Sequence, residues 1–349
     1  MEDKERIHSL DLIKGILILF IIITHYNWTD EQRRMMLFPY WIDMAVPVFM
    51  IISGYVNALS YQRKEIKTLQ DAYEYKEIIS KLIRYSMPLL MAFLFEVFLY
   101  TIKGIKIEIG SILTGGIGPG SFYSPVMIQF VFIYPLIYFA IKKYDMRGLL
   151  SCGIANLVFE TAKTLYGMPT GEYRFMVLRY ILLIASGCYL AMGKQEVKKP
   201  FLVISVLIGA FWQYAVYYLD YKPLIINKAW ATTSCIAALF IIPICTCFFK
   251  SERMMKIRCG LLELLGRASF NIFLTQMVYF IGAKAIYKVV SNELLVNLLN
   301  IVICCITGTI FYLIESRITK HLIEYLEKKD YFETQIRRLV QKVGSICLK

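Results

Sequence analysis

Ionisable side chains are scarce in this sequence of 349 residues, because only 19% of them are charged and only three are histidines. Soluble domains average about 25% charged and about 45–50% apolar residues, whereas 58% of this chain is hydrophobic. Residues 15–24 and 130–141, for example, contain no charged side chain. Repeated runs of this kind are typical of polytopic membrane proteins. A soluble globular protein, a disordered chain, collagen and a disulfide scaffold are therefore excluded.

Metal-binding patterns are missing as well. The nine cysteines lie mostly in apolar runs, and neither Cys245-x-Cys247 nor Cys304-Cys305 has the C-x-x-C or histidine spacing of a zinc site. We expect buried cysteines that act as small hydrophobic residues, and no metal. No small-residue cleavage site follows the first apolar segment, so we expect that segment to remain in the protein as a span.

The apolar runs predict the number of membrane spans. A spanning helix needs about 20 mostly apolar residues. The sequence accordingly predicts an all-α, polytopic transmembrane bundle of ten spans, near 9–28, 41–60, 79–101, 121–141, 147–165, 174–192, 200–219, 227–249, 266–289 and 293–316. Residues 1–316 would form the transmembrane domain, and residues 317–349 a basic amphipathic cytoplasmic tail along the inner leaflet.

Lysine and arginine predict the orientation of these spans. With both termini in the cytoplasm, the inside segments hold 28 of the 39 basic residues and the outside segments hold 11. This distribution is the positive-inside pattern of a multi-pass plasma-membrane protein. The net charge of +13 is then a result of topology among membrane lipids, and no nucleic-acid partner is needed to explain it.

The first predicted span carries a polar stripe. His25 is the only histidine within a predicted span, and it follows Asp11 by 14 residues and Lys14 by 11. These offsets are about four and about three helical turns, so the three side chains share one face. Neutral imidazole is suited to act as the general base that deprotonates a hydroxyl. The alternative is a histidine that only packs against a neighbouring helix.

Further motifs follow on other predicted spans. In the second span, Ser53 and Gly54 are small residues of the kind that lets helix backbones approach closely. The motifs occur in this order along the chain: Asp11-x-x-Lys14-Gly15, His25, Phe49-x-x-x-Ser53-Gly54-Tyr55, Arg84-x-x-x-Pro88 and Gly266-x-x-Ser269-x-x-Ile272-x-Leu274. Together they resemble the acyltransferase-three family, which consists of ten-span bacterial membrane proteins that O-acylate glycans and other cell-surface molecules. The resemblance extends over residues 7–316.

The resemblance implies roles for several cations and for the histidine. His25 matches the essential histidine of the family, and Lys14 stands where the family usually has arginine. Lys81 and Arg84 fall in the basic cluster of the third span and are implied, with Lys14, to hold the phosphates of an acyl-CoA, with acetyl-CoA expected. Lysine lacks the bidentate fork of arginine, so donor binding is expected to differ here. Gln276 replaces a second histidine found in many members, which leaves His25 as the single base.

The implied acceptor is a hydroxyl of a surface glycan. Asp11 is expected to orient the polar stripe from about 20 Å away, too far to touch His25. Ser53 is predicted to contact substrate, with helix packing as its alternative. The acceptor is expected to meet polar residues on the outer side, namely Arg33, Arg34, Asp43, Tyr123 and Arg174.

A transporter or flippase for glycans or lipid-linked sugars is the main alternative, and a structural subunit without chemistry is the third. In a transporter, polar residues within spans would line a path; they are Glu96, Asn156, Glu160 and Gln213. The sequence has no internal repeat of the kind common in transporters, which favours the enzyme. Whether the protein forms a homo-oligomer is left open.

Overall fold

Helices make up the regular secondary structure of the protein. A computed structural model describes residues 7–104, 109–116, 121–193, 198–221, 234–282 and 292–347, with side chains as far as Lys328. No strand occurs in these ranges, so the predicted all-α class is confirmed for them. The first half contains α1 (His8–Thr24), α2 (Asp30–Met35), α3 (Ala45–Arg63), α4 (Leu69–Ala72), α5 (Tyr75–Ile102), α6 (Tyr123–Tyr144) and α7 (Met146–Leu165).

The second half continues this pattern of long helices and short connections. It contains α8 (Thr170–Tyr173), α9 (Ile181–Ala191), α10 (Lys199–Tyr217), α11 (Cys235–Lys250), α12 (Glu252–Met255), α13 (Gly260–Arg267), α14 (Ser269–Gly282) and α15 (Glu293–Cys347). Short 3₁₀ helices at Phe38–Tyr40, Ile109–Thr114 and Val177–Tyr180 link some of them. Each of the ten predicted spans overlaps at least one of these helices, although residues 227–233 and 283–289 of two spans lie outside the described ranges.

Fewer helices are long and apolar enough to cross a membrane than the sequence predicts. Within the described ranges five satisfy both conditions, in the segments Phe38–Arg63, Leu69–Ile102, Tyr123–Tyr144, Lys199–Tyr217 and Glu293–Lys328. A sixth results if α13 and α14, which meet at an angle of 69°, are counted as one bent span. Shorter apolar helices lie at Val177–Ala191 and Cys235–Lys250. The count of ten and the cytoplasmic location of the termini therefore stay predictions.

Glycines bring two helix pairs into backbone contact. A Cβ atom on Gly54 of α3 would overlap the carbonyl oxygen of Ile184 in α9, and one on Gly187 of α9 would overlap that of Ile51. The contact is thus reciprocal, as it is between α1 and α13, where Gly15 and Gly266 are the glycines. The close approach predicted at Gly54 is confirmed, and the two contacts join α3 to α9 and α1 to α13.

The helix α15 continues without interruption through the predicted end of the transmembrane domain at residue 316. The predicted tail therefore begins within this helix. Among its described side chains, Glu324 lies near Lys320 and His321, at 3.8 and 3.9 Å. The tail as a unit along the inner leaflet stays a prediction.

Candidate active site

A cavity of about 260 Å³ lies where α1 meets the bend between α13 and α14. Four residues of one α1 face form its wall there, Asp11, Lys14, Ile18 and Ile21. Their spacing of three or four residues is that of a helical stripe, so the face of α1 that carries Asp11 and Lys14 is turned toward the cavity. The other walls come from α3, α5, α6, α13 and α14: Phe49, Ser53, Tyr85, Tyr123, Met127, Gly266, Arg267, Ser269, Phe270 and Phe273.

The cations of this cavity gather at its Asp11 end. Lys14 Nζ lies 3.5 Å from Asp11 Oδ1, and the Asp11 side chain is buried. Arg267 lines the same cavity from the last residue of α13. Because the chain bends at Ala268, α14 starts at Ser269 in the cavity wall. A helix N-terminus carries a partial positive charge, so this end of the cavity is suited to an anion.

His25 lies just outside the lining residues. It caps the C-terminal end of α1, one helical turn beyond Ile21 on the same face. Its half-buried ring contacts that of Phe280, with 5.7 Å between the centroids. Beyond it, Arg33 pairs with Asp43 at 2.8 Å. The cavity and His25 therefore follow one another along a single helix face.

Two of the predicted substrate contacts, Ser53 and Tyr123, also line the cavity. Their hydroxyls share a hydrogen bond, and the Tyr123 ring packs edge-on against Phe273 at 5.2 Å. The structure thus brings both residues to the level of Lys14 rather than to a separate outer surface. Arg174, another residue that the acceptor is predicted to meet, does not line this cavity and lies over the ring of Phe175 at 4.9 Å.

Lys81 and Arg84 do not line the cavity that contains Lys14. The ammonium of Lys81 is 4.0 Å from the ring centre of Tyr61 and 5.9 Å from that of Tyr134, a cation–π arrangement. Arg84 is exposed, although the next residue, Tyr85, lines the cavity. The predicted cluster of three phosphate-binding cations is therefore not assembled in the cavity, and its role stays a proposal.

Arg267 is the charged residue of the cavity lining to which the sequence assigns no role of its own. In the sequence it is only one of the basic residues of an inside segment, because Asp11 and Lys14 lie some 250 positions earlier in the chain. The adjacent motif Gly266-x-x-Ser269 is the available signal. That motif spans the bend between α13 and α14, where Arg267 lines the cavity.

Some intramembrane polar residues have structural partners. Asn156 Nδ2 donates to Glu160 Oε1 over 3.0 Å, and that oxygen also accepts from the backbone N–H of Cys235 at the start of α11. Glu96 lines a separate, largely apolar cavity of about 710 Å³ between α5, α14 and α15. Neither Asn156 nor Glu160 lines the cavity that Glu96 lines.

The described residues contain no group of three or more histidine, cysteine or acidic side chains placed to hold a metal ion. A reaction without a metal stays a prediction.

The fold and the cavity define an integral-membrane protein with a buried, cation-lined site that leads to a histidine. A family model described as an acyltransferase domain matches residues 7–314, nearly the whole chain. The chain therefore belongs to the acyltransferase-three family, as its motifs indicated, and it is a membrane acyltransferase. No curated protein and no solved structure matches it significantly.

Proposed function

We propose that the protein is an O-acyltransferase that moves an acyl group from cytoplasmic acyl-CoA, acetyl-CoA in the first instance, to a hydroxyl of a cell-surface or exported polysaccharide. It would work as a multi-pass protein of the bacterial plasma membrane. The observation that carries this proposal is the cavity of about 260 Å³, which begins among Asp11, Lys14 and Arg267 and ends one helical turn from His25.

The cationic end of the cavity supports the choice of donor. Lysine holds a phosphate as a point charge, whereas arginine adds a bidentate fork. Arg267 would thus supply the geometry that Lys14 lacks, and Asp11 would position the Lys14 ammonium through their 3.5 Å contact. A volume of about 260 Å³ suits the pantetheine arm better than a complete nucleotide. We therefore place the nucleotide at the mouth, near the exposed Arg84.

The distance along α1 supports His25 as the base. Eleven residues separate Lys14 from His25, which corresponds to about 16 Å of helix. An extended pantetheine arm covers such a distance, so phosphates at Lys14 place the thioester near the imidazole. The residues between them on this face, Ile18 and Ile21, are apolar and would exclude water from the arm.

The reaction is an ordinary acyl exchange. The acceptor oxygen forms a bond to the thioester carbonyl carbon while His25 takes the hydroxyl proton. The carbon–sulfur bond then breaks, and the sulfur leaves as a thiol with the proton that His25 returns. The ester and free CoA are the products, and His25 ends as it began.

The acceptor would approach from the end of α1 that carries His25. Two ion pairs border this end, Arg33 with Asp43 at 2.8 Å and Arg34 with Asp220 at 3.0 Å. A carboxylate or a guanidinium group can give up its partner in an ion pair and bind a sugar hydroxyl instead, since both groups form strong hydrogen bonds.

Transfer of label from radiolabelled acetyl-CoA to candidate glycans tests the proposal on protein reconstituted in vesicles. We expect transfer by the wild type and none above background by His25→Ala, because the base is lost. The matched control is His321→Ala, whose histidine side chain is 81% exposed on α15 and should be dispensable. Transfer by His25→Ala at the wild-type rate would contradict the role of His25.

The same vesicles distinguish the enzyme from a transporter. If unmodified glycan crosses the bilayer while no acyl group is transferred, the chain moves sugars and the acyltransferase proposal fails for these substrates.

A further inference from the structure

Two buried amides near His25 have hydrogen-bonding capacity left over. Gln276 in α14 and Asn300 in α15 are 0% and 1% exposed. In the described ranges, Nε2 and Oε1 of Gln276 have no hydrogen-bond partner, and neither has Nδ2 of Asn300. Buried polar groups are nearly always paired, so each exception needs an explanation.

The level of Gln276 follows from the contacts of α14 with α1. Phe273 of α14 lines the same cavity as Ile21, the last α1 residue of the cavity wall. Further along α14, Phe280 contacts His25. Between these two levels, α14 carries Gln276.

The face of α14 that carries Gln276 agrees with this placement. Phe273, one turn earlier, lines the cavity, and Phe280, one turn later, contacts His25. Residues three and four positions apart lie on one side of a helix. Gln276 therefore lies between the end of the cavity and the imidazole.

The level of Asn300 follows from contacts of α15. The Tyr26 hydroxyl donates to the carbonyl of Asn297 at 2.6 Å, so the end of α1 meets α15 one turn before Asn300. The helix α15 runs antiparallel to α14, because Gly308 meets Ile272 whereas Asn300 meets Tyr279, so this turn leads back toward the level of His25.

The orientation of the Asn300 amide is fixed. Its Oδ1 accepts a hydrogen bond from the Tyr279 hydroxyl at 2.6 Å. Only the Nδ2 donors then remain for another partner, because an amide presents its oxygen and nitrogen on opposite sides.

We propose that the side-chain amides of Gln276 and Asn300 donate hydrogen bonds to the acyl carbonyl oxygen as it becomes an oxyanion. The assignment rests on the proposed function. When the acceptor oxygen bonds to the carbonyl carbon, the carbonyl electron pair moves to that oxygen; it returns when the carbon–sulfur bond breaks. Fixed donors in a water-poor site stabilise such a charge without reorganisation. Ser53, which the sequence predicts to contact substrate, shares its hydrogen bond with Tyr123 instead.

The test removes each donor at nearly constant volume, with Gln276→Met and Asn300→Leu. We expect each variant to lose about 10²- to 10³-fold in kcat, the effect of deleting one oxyanion donor. The KM for acetyl-CoA should stay within a few-fold, because the bond strengthens only in the transition state. Gln276→His keeps an N–H donor and should retain more activity than Gln276→Met.

The matched control is Thr275→Val, on the same helix. Its hydroxyl donates to the backbone oxygen of Asn271, and the substitution preserves shape, so kcat should match the wild type. All rates are divided by the fraction of protein that binds acetyl-CoA, which corrects for unfolded material. If Gln276→Met and Asn300→Leu keep kcat within threefold, or if Gln276→His is no better than Gln276→Met, the assignment is wrong. A wild type that transfers no label contradicts the proposed function itself and the assignment with it.

Discussion

Lys14 and Arg267 are two cations of one cavity, and they differ in their surroundings. Lys14 lies beside a buried carboxylate, Asp11, which offsets much of its charge. Arg267 lies next to the start of α14, where the helix dipole adds to its positive potential. Arg267 should therefore contribute more than Lys14 to holding a phosphate, although the family motif contains Lys14.

We expect Arg267→Ala to weaken acetyl-CoA binding by about 10- to 100-fold, since hydrogen bonds to charged groups contribute about 1.5–3 kcal/mol. The affinity of Arg267→Lys for acetyl-CoA should lie between those of the wild type and Arg267→Ala, because lysine keeps the charge but lacks the bidentate fork of arginine. Titration calorimetry on protein in nanodiscs measures the dissociation constant. Lys320→Ala, whose side chain is 75% exposed on α15, is the matched control, and an Arg267→Ala affinity equal to that of the control would contradict this role.

At this scale the sequence predicts some residues well and others not at all. Asp11, Lys14 and His25 share a face because all three belong to one helix, and helical periodicity is a local property. Gln276 and Asn300 belong to different helices, and each is more than 250 positions from His25 in the chain. That Gln276 and the Nδ2 of Asn300 have no hydrogen-bond partner in the described ranges depends on how the helices pack, which cannot be derived from spacing along the sequence.

At the scale of helices, glycines allow the backbones of neighbouring helices to touch. The α3–α9 contact leaves no room for a Cβ atom at Gly54 or Gly187. Backbone atoms cannot move aside as flexible side chains can, so a substitution must separate the helices. Ser53 of the cavity wall lies next to Gly54, and the same displacement would therefore reach the site.

Gly187→Ala should lower the free energy of unfolding by about 1–3 kcal/mol, the usual cost of overpacking. Gly153→Ala is the matched control, because its Cβ would meet only the Leu182 side chain at 3.5 Å. In a helix interior, that exchange stabilises by up to about 1 kcal/mol. Thermal unfolding in detergent measures the stability of both variants. Equal melting temperatures for Gly187→Ala and Gly153→Ala would show that the contact at Gly187 is not tight in solution.

The bend of 69° between α13 and α14 was not predicted. The sequence from 266 to 289 is apolar enough for one straight span, and the turn at Ala268 depends on α13 packing against α1 through Gly266. Helix existence and class were predictable from the apolar runs, whereas the angle between helices depends on contacts that are distant in sequence.

For the whole molecule, orientation in the membrane is the main prediction from the distribution of basic residues. Cys259 is exposed and lies in a predicted inside segment, and Glu31 is exposed in a predicted outside segment. With Cys259 as the single cysteine, a membrane-impermeant maleimide should label inverted vesicles and not intact cells. Glu31→Cys in a cysteine-free background should give the opposite result, and labelling of both from the same side would contradict the predicted topology.

The length of α15 has a consequence for the predicted boundary near residue 316. Its 55 residues extend about 80 Å at about 1.5 Å per residue, whereas the hydrocarbon layer is about 30 Å thick. Counted from Glu293, about 20 residues are enough to cross that layer, and the charged residue Arg317 follows this stretch. On the predicted topology, the boundary is therefore a change of surroundings along one continuous helix. The helix itself continues to Cys347, so its backbone keeps its own hydrogen bonds on both sides of that boundary.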